Sequence, residues 1–160
     1  MTHLIPMTDA DYAWLLGEVS RDGLSVVEGG ISPAEVITML RGVTATVAAT
    51  CDHTVAWLIA ERDEAVGMIS FTKQPAPWIF EFGYGVAPSR EGRGHTSAAV
   101  ASLVDFAREL GLGLTAETSV ANPASQRVLE KNGFVATGTR TDAEDGDLIT
   151  WAHDPHESQA

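Results

Sequence analysis

The sequence predicts an α+β domain built from about seven strands and about four helices. Three observations lead to this class. Apolar residues recur at helical spacing in the N-terminal third, β-branched and apolar runs follow in the middle, and a glycine-rich loop near residue 92 opens into an amphipathic helix. Because 44% of the 160 residues are hydrophobic, we expect one domain over residues 1–160 with a core of its own.

The first elements are predicted to be a short strand at residues 4–7 and a helix that begins directly after it. Thr8 is expected to cap this helix, because Asp11 follows at the position of a capping-box partner. Residues 21–31 are rich in glycine and are predicted to form a loop.

A second helix is predicted to begin at Ser32, which precedes Pro33 at the first helical position and Glu35 at the third. Its apolar residues recur at helical spacing and are expected to form its buried face. They are Val36, Met39, Leu40 and Val43.

The middle of the chain is predicted to form an antiparallel hairpin followed by a central strand. Residues 55–60 and 66–72 are β-branched and apolar, and the charged segment 61–64 between them is typical of a turn. The two prolines in residues 74–77 are expected to interrupt the sheet. Residues 78–86 then form the central strand.

The C-terminal half is predicted to alternate helices and strands. A helix over residues 94–110 is followed by a strand over residues 114–120. Asn122 caps the last helix ahead of a proline, and Gly133 supplies its left-handed end. The apolar face of the longer helix consists of Val100, Leu103, Val104, Ala107 and Leu110. The chain ends in a final hairpin and a polar tail, at residues 135–141, 147–151 and 154–160.

The composition disfavours several classes of function. A net charge of −12 argues against a nucleic-acid surface, because phosphate backbones require clusters of Lys and Arg. The single Cys51 cannot form an internal disulfide and is interpreted as a small buried side chain, which favours a reducing compartment. The N-terminus lacks the pattern of a secretion signal, and no apolar stretch approaches the ~18 residues of a membrane span. We therefore expect a cytoplasmic protein with no membrane and no nucleic-acid partner.

The loop around residue 92 predicts an anion-binding site. Backbone N–H groups at the start of the following helix are free, and the helix dipole adds partial positive charge. Gly92 and Gly94 let the backbone approach a phosphate closely, while Arg90 and Arg93 flank the loop. The alternative is a glycine-rich turn with solvated arginines. The pattern is not a P-loop, since the Gly-Lys-Ser/Thr ending is absent, and it lacks a glycine of the dinucleotide fingerprint.

Two motifs resemble those of a known family. The run EGRGHTSAAV from Glu91 resembles the pyrophosphate loop of the GNAT superfamily of N-acetyltransferases, and NPASQRVLEKNGF from Asn122 closely resembles its second signature. The run EFGY, from Glu81 to Tyr84, is similar to the strand before the loop in the branch that acetylates the N-termini of ribosomal proteins. The resemblance implies a central, mostly antiparallel mixed sheet and acetyl-CoA as co-substrate. It also implies transfer of an acetyl group to a primary amine, either a protein N-terminal α-amine or a small-molecule amine.

The resemblance further implies which residues bind acetyl-CoA. They are Val86, Arg90, Gly92, Arg93, Gly94, His95, Thr96 and Asn122. Glu91 stands where relatives usually have Gln or Arg, and Thr96 replaces a small residue, so both departures are expected to weaken binding. The alternative for Thr96 is that its hydroxyl donates to a phosphate oxygen. The two departures leave open a non-catalytic acyl-CoA-binding or sensor module on the same fold. Another acyl donor, such as succinyl-CoA, and a homodimer also remain open.

Glu81 is the predicted general base. Alternation along the central strand puts Glu81 on the face cleared by Gly83 and Gly85, which suits a carboxylate beside a ligand cleft. The alternative is an edge charge or a salt bridge. A backbone N–H near Val86 is the predicted donor to the oxyanion.

The resemblance assigns the general acid to Ser125. Many relatives carry a thiol-protonating tyrosine in the last helix, but the corresponding position here is Leu129. The alternative for Ser125 is a local hydrogen bond in the first turn of that helix. The five histidines show no metal-ligand spacing, so no metal site is expected, and His95 is interpreted as loop packing or a phosphate contact.

Overall fold

The computed structural model describes residues 1–155, so most of the predicted polar tail, residues 156–160, lies outside the described part of the chain. The strands are β1 (Thr2–Pro6), β2 (Ser25–Val26), β3 (Ala56–Glu61), β4 (Glu64–Ala76), β5 (Ile79–Val86), β6 (Gly113–Ser119), β7 (Val135–Asp142) and β8 (Gly146–His153). The helices are α1 (Asp9–Leu15), α2 (Ala34–Ala48), α3 (His95–Leu110) and α4 (Pro123–Lys131). The predicted α+β class is confirmed.

One sheet runs through the molecule in the order β1-β3-β4-β5-β6-β8-β7, and the short β2 pairs with β4 beside this path. Every neighbouring pair on the path is antiparallel except β5 with β6, which is parallel. The β5–β6 pairing stops at Glu81 opposite Thr115. Because β5 continues to Val86 and β6 to Ser119, the two strands separate beyond this point and leave a gap in the sheet.

Aromatic side chains hold α3 against one face of the sheet. Phe71 of β4 and Phe80 of β5 stack with ring centroids 4.6 Å apart, and Trp57 of β3 meets Phe71 edge-on at 5.5 Å. Trp57 also packs 4.9 Å from Phe106, which lies on α3. Stacked and edge-on rings of this kind add about 0.5–1.5 kcal/mol per pair to the burial of their area. The C-terminal half of α3 is thereby held against β3.

The ends of α3 and α4 follow the predicted local signals. Gly94 and Gly111, at the two ends of α3, have φ of 81° and 70°, in the left-handed region that favours glycine. The Asn122 side chain caps α4 by accepting a 3.2 Å hydrogen bond from the Ser125 N–H. Gly133 follows α4 with φ of 83°, as predicted.

Two predictions about the sheet were wrong. Residues 74–77 do not interrupt β4, which continues to Ala76 and turns back at Trp78. Pro75 is tolerated because the β4–β5 register shifts between Lys73 and Ala76, so it needs no ladder hydrogen bond. The loop over residues 21–31 contains β2, whose two residues pair in parallel with the start of β4 and are too few to show a sequence pattern.

Three predictions about helices were also wrong. Pro33 rather than Ser32 is the capping residue of α2, whose first backbone bonds reach the Pro33 carbonyl. Met39 is 58% exposed, and the buried face of α2 is instead formed by Ile37, Thr44 and Val47. Leu110, the last residue of α3, is 41% exposed rather than part of the buried face. None of the helices within residues 1–155 has the length and apolar character that crossing a membrane requires.

Candidate active site

The gap between β5 and β6 opens into a cleft of about 670 Å³. Its walls come from the end of β5, the glycine-rich loop, the first turn of α3 and one side of α4. The cleft therefore lies where a strand ends and a helix begins, the place where open backbone groups collect.

The first turn of α3 offers backbone N–H groups to this cleft. The first helical hydrogen bond runs from the Ala98 N–H to the Gly94 carbonyl at 3.1 Å, so the N–H groups of residues 95–97 have no helical acceptor. Gly92 and Gly94 have φ of 76° and 81°, and a Cβ on either would meet no atom within 4 Å. Glycine is therefore required by backbone conformation, and the loop is open to a ligand. Free donors and the positive end of the helix dipole fit a phosphate-bearing group.

The arginines and the histidine of the loop are placed differently from one another. Arg90 borders the cleft but is held 2.5 Å from the Glu64 carboxylate, and Arg93 is exposed and is not among the lining residues. The His95 ring is buried, 4% exposed, with Nδ1 2.8 Å from the Thr2 hydroxyl and Nε2 3.0 Å from the Glu61 carboxylate. These partners lie on β1 and β3, so the ring of His95 serves packing between α3 and the sheet.

Two cations that the sequence interpretation did not single out line the cleft. Arg127 and Lys131 are exposed on α4, four residues apart on one side of the helix, and both border the cleft. The four-residue spacing of these two cations within NPASQRVLEKNGF was the sequence signal from which they could have been predicted. They supply local positive charge in a chain of net charge −12, where phosphate groups would otherwise meet an unfavourable field.

The backbone of Val86 faces the gap. The Ala87 N–H donates to the Val66 carbonyl at 2.8 Å, and Val86 lies opposite Gly67 in the antiparallel register. Hydrogen-bonded and non-hydrogen-bonded pairs alternate along an antiparallel ladder. Because Ala87 bonds Val66, the adjacent pair of Val86 and Gly67 is a non-hydrogen-bonded pair, and the N–H and C=O of Val86 point away from β4. A Cβ on Gly67 would lie 2.4 Å from the Gly85 carbonyl oxygen, so only glycine allows this close approach of β4 to β5.

Glu81 and Glu117 are two carboxylates in opposite electrostatic environments. The Glu81 side chain is 19% exposed and lies 3.6 Å from the Lys73 ammonium; burial raises the pKa of Glu81, and Lys73 opposes the rise. Arg140 binds Glu117 through two nitrogens and lowers the pKa of Glu117. Of the two, Glu81 is therefore the stronger base. It is not among the residues that line the cleft, and its contact with Lys73 is the salt bridge expected as the alternative to the base role. Residues 1–155 contain no group of three or more His, Cys, Asp or Glu side chains that could hold a metal.

Ser125 and Tyr84 join the two sides of the cleft. The Asn122 cap fixes Ser125 in the first turn of α4, and the Ser125 hydroxyl lies 2.5 Å from the Tyr84 hydroxyl on β5. Burial raises the pKa of the Tyr84 phenol, and the hydrogen bond to Ser125 opposes that rise. The bond within the first turn is made by the Ser125 backbone N–H, whereas the Ser125 hydroxyl bonds Tyr84 rather than a neighbour in its own helix, which was the alternative to the acid role. Sequence interpretation did not assign a role to Tyr84.

A second, smaller cavity of about 170 Å³ lies on the other face of β4 and β5, beneath α2. Gly83 and Gly85 line it from β5, as the predicted alternation requires, and Val36 and Leu40 line it from α2. Tyr84 borders both this cavity and the larger cleft. Among the described residues, those that line the smaller cavity carry no charged side chain.

Comparisons with known proteins bear on the family and the fold of the chain. The profile of the Acetyltransferase (GNAT) domain matches residues 2–135. The ribosomal-protein-serine acetyltransferase of Escherichia coli K12 is 32% identical over 91 residues, which cover 55% of this chain and 51% of that protein. The chain thus spans about half the length of the curated relative that it matches.

Solved structures share the fold at low identity. A chimera of the spermidine N-acetyltransferase SpeG from Vibrio cholerae and hSSAT superposes with a TM-score of 0.71 at 15% identity, covering 96% of this chain and 95% of that one. RimL, a ribosomal L7/L12 alpha-N-protein acetyltransferase in complex with coenzyme A, gives 0.69 at 21% identity, covering 96% and 93%. At these identities the likeness extends to the fold alone.

Proposed function

Because the chain belongs to the acetyltransferase (GNAT) domain family, we propose that it transfers an acetyl group from acetyl-CoA to a primary amine. The observation that carries this proposal is the open first turn of α3 beside the gap between β5 and β6. A cleft on one face of β5 and a smaller cavity on the other give each reactant its own approach to the same strand.

We assign the cleft to acetyl-CoA, which supplies an activated acetyl thioester. The N–H groups of residues 95–97 would hold its diphosphate, and Arg127 and Lys131 would neutralise further phosphate charge. The Val86 N–H, directed into the gap, is a donor for the carbonyl oxygen on which negative charge develops. A preoriented donor of this kind is worth about 10²–10³-fold in rate.

Glu81 would take the excess proton of the attacking amine, directly or through one water. Its raised pKa supports this role, whereas Arg140 makes Glu117 a weaker base. An α-amine with a pKa of about 8 is already partly neutral at pH 7, while a lysine amine near 10.4 is almost wholly charged. The pKa of a lysine amine is higher than that of an α-amine by ~2.5 units, so its deprotonation costs about 3.4 kcal/mol more free energy.

The smaller cavity supports an acceptor without a second charge near its amine. A polyamine brings further ammonium groups that need carboxylates, and the described residues lining this cavity are uncharged. A protein N-terminus with a small side chain, or a small-molecule amine, fits 170 Å³ and the hydroxyls of Ser70 and Thr72. The name of the Escherichia coli relative, a ribosomal-protein-serine acetyltransferase, points the same way.

Thiol release from acetyl-CoA with a panel of acceptors tests the proposal. Peptides with N-terminal Ser or Ala should release thiol faster than spermidine and faster than N-terminally blocked peptides with an internal lysine. No thiol release with any acceptor, together with tight binding of acetyl-CoA, would favour a non-catalytic binding module. Activity confined to internal lysine would overturn the choice of acceptor.

Glu81→Gln tests the base. Its rate should fall about 10–10³-fold at pH 7 and partly recover at pH 9, where more of the amine is neutral without help. Glu109→Gln, at an exposed position on α3, is the matched control and should keep the wild-type rate. Wild-type rates of Glu81→Gln across this pH range would show that Glu81 is not the base.

A further inference from the structure

We propose that Tyr84 is the second hydroxyl of a two-hydroxyl proton relay, in which Ser125 protonates the departing thiolate and Tyr84 reprotonates Ser125. This inference rests on the proposed function. It assigns a chemical role to a residue on β5, which lies outside both the glycine-rich loop and the signature that begins at Asn122.

The two hydroxyls are held from opposite sides of the cleft. Ser125 is fixed by the Asn122 cap of α4, while the Tyr84 ring packs 5.9 Å from Phe82, which in turn lies 5.6 Å from Phe134. Their oxygens are 2.5 Å apart, the distance of a strong O–H···O bond. Only one of the two protons can lie between the oxygens, so if Tyr84 donates to Ser125, the Ser125 proton is free to point into the cleft.

The relay solves a problem of acidity. Proton donation by a serine alone leaves an alkoxide, and an aliphatic alcohol is a far weaker acid than a phenol, whose pKa is about 10. In the proposed step the amine nitrogen has bonded to the acetyl carbon, and the carbon–sulfur bond then breaks with its electron pair staying on sulfur. The Ser125 proton moves to sulfur and the Tyr84 proton moves to Ser125, so the negative charge ends on the phenol oxygen. Solvent then returns one proton to the phenolate and receives from Glu81 the proton lost by the amine, so both residues are restored and no charge is left over.

The surroundings of Tyr84 keep it a proton donor at neutral pH. Burial disfavours the phenolate, so the phenol remains protonated before the reaction. Its hydrogen bond to Ser125 acts in the other direction and eases loss of the proton when the relay operates. Tyr84 also borders both cavities, which places the relay beside the point where the two reactants would meet.

The test compares Tyr84→Phe, Ser125→Ala and the double variant by thiol release and by calorimetry with coenzyme A. If the relay acts as a unit, each single variant lowers kcat by about 10–10²-fold and the double variant is no slower than the worse single one. Coenzyme A affinity should stay within about twofold of wild type. Tyr12→Phe is the matched control, because Tyr12 makes a similar 2.6 Å hydroxyl pair with Thr44 away from the cleft. It should lose stability and keep kcat.

A second readout needs no turnover. The chain has two tyrosines, so the ultraviolet titration of wild type minus that of Tyr84→Phe reports Tyr84 alone. Removing the Ser125 hydroxyl should raise the midpoint of that titration, measured as Ser125→Ala minus the double variant. Wild-type kcat in Tyr84→Phe, multiplicative losses in the double variant, or an unmoved midpoint would each overturn the relay. If the wild-type protein releases no thiol with any amine, the proposed function fails and the relay fails with it.

Discussion

Replacing Gly94 by aspartate should weaken the binding of coenzyme A, and the isosteric Gly94→Asn isolates the reason. Gly94 has φ of 81°, and a Cβ built there meets no atom within 4 Å, so both side chains fit into open space. Asn and Asp are the residues other than glycine that best tolerate this conformation, at a cost of about 1–2 kcal/mol in stability. Because both variants bear the same conformational cost, a difference between their affinities for coenzyme A comes from the charge of the aspartate.

The size of that difference follows from Coulomb's law. A carboxylate about 4 Å from one phosphate charge is disfavoured by about 1 kcal/mol in bulk water and about 4 kcal/mol at an effective dielectric constant near 20. Gly94 is exposed, so the value should lie between these limits. Since 1.4 kcal/mol is a factor of ten, Gly94→Asp should bind coenzyme A roughly 5-fold to 10³-fold more weakly than Gly94→Asn.

Isothermal calorimetry with coenzyme A at low and at high salt measures both affinities. The difference in affinity between the two variants should decrease at high salt, because exposed charges are screened. Gly111→Asp is the control, since Gly111 has φ of 70° and the same open surroundings at the opposite end of α3. It should lose stability and keep wild-type affinity. Equal affinities for Gly94→Asp and Gly94→Asn would refute the assignment of the diphosphate to this helix end.

Two further predictions concern stability. The folded-state pKa of Glu81 is raised, so its ionised form destabilises the fold above the ordinary value of 4.5, and the penalty disappears as pH falls below it. Thermal melting should therefore show a stabilising effect of Glu81→Gln that is larger at pH 7 than at pH 4; a pH-independent effect would contradict this account. Gly67→Ala places a Cβ 2.4 Å from the Gly85 carbonyl oxygen and should destabilise by about 1–3 kcal/mol or more in chemical denaturation. Gly138→Ala, whose Cβ meets the nearest atom at an ordinary 3.5 Å, should cost little, and equal losses would be the contrary result.

Local signals predicted most of the fold. The cap of α4 by Asn122, its left-handed end at Gly133 and the glycine before α3 each depend on hydrogen bonds or φ angles within a few residues. The same holds for the alternation that puts Gly83 and Gly85 on one face of β5. The errors at Ser32 and Met39 arose because tertiary packing decides where α2 begins and which of its apolar residues are buried.

In the candidate site too, local sequence predicted some features, and tertiary packing decided the others. The sequence alone predicted open N–H groups at the start of α3, because glycine spacing and a helix start produce them whatever the rest of the chain does. It also predicted roles for Glu81 and Ser125, but not which residues surround them. Ser125 meets Tyr84 across 41 positions of sequence, and the His95 ring meets Thr2 across 93. Such contacts arise only when strands and helices pack, since the distance between two residues far apart in the chain is set by the whole fold.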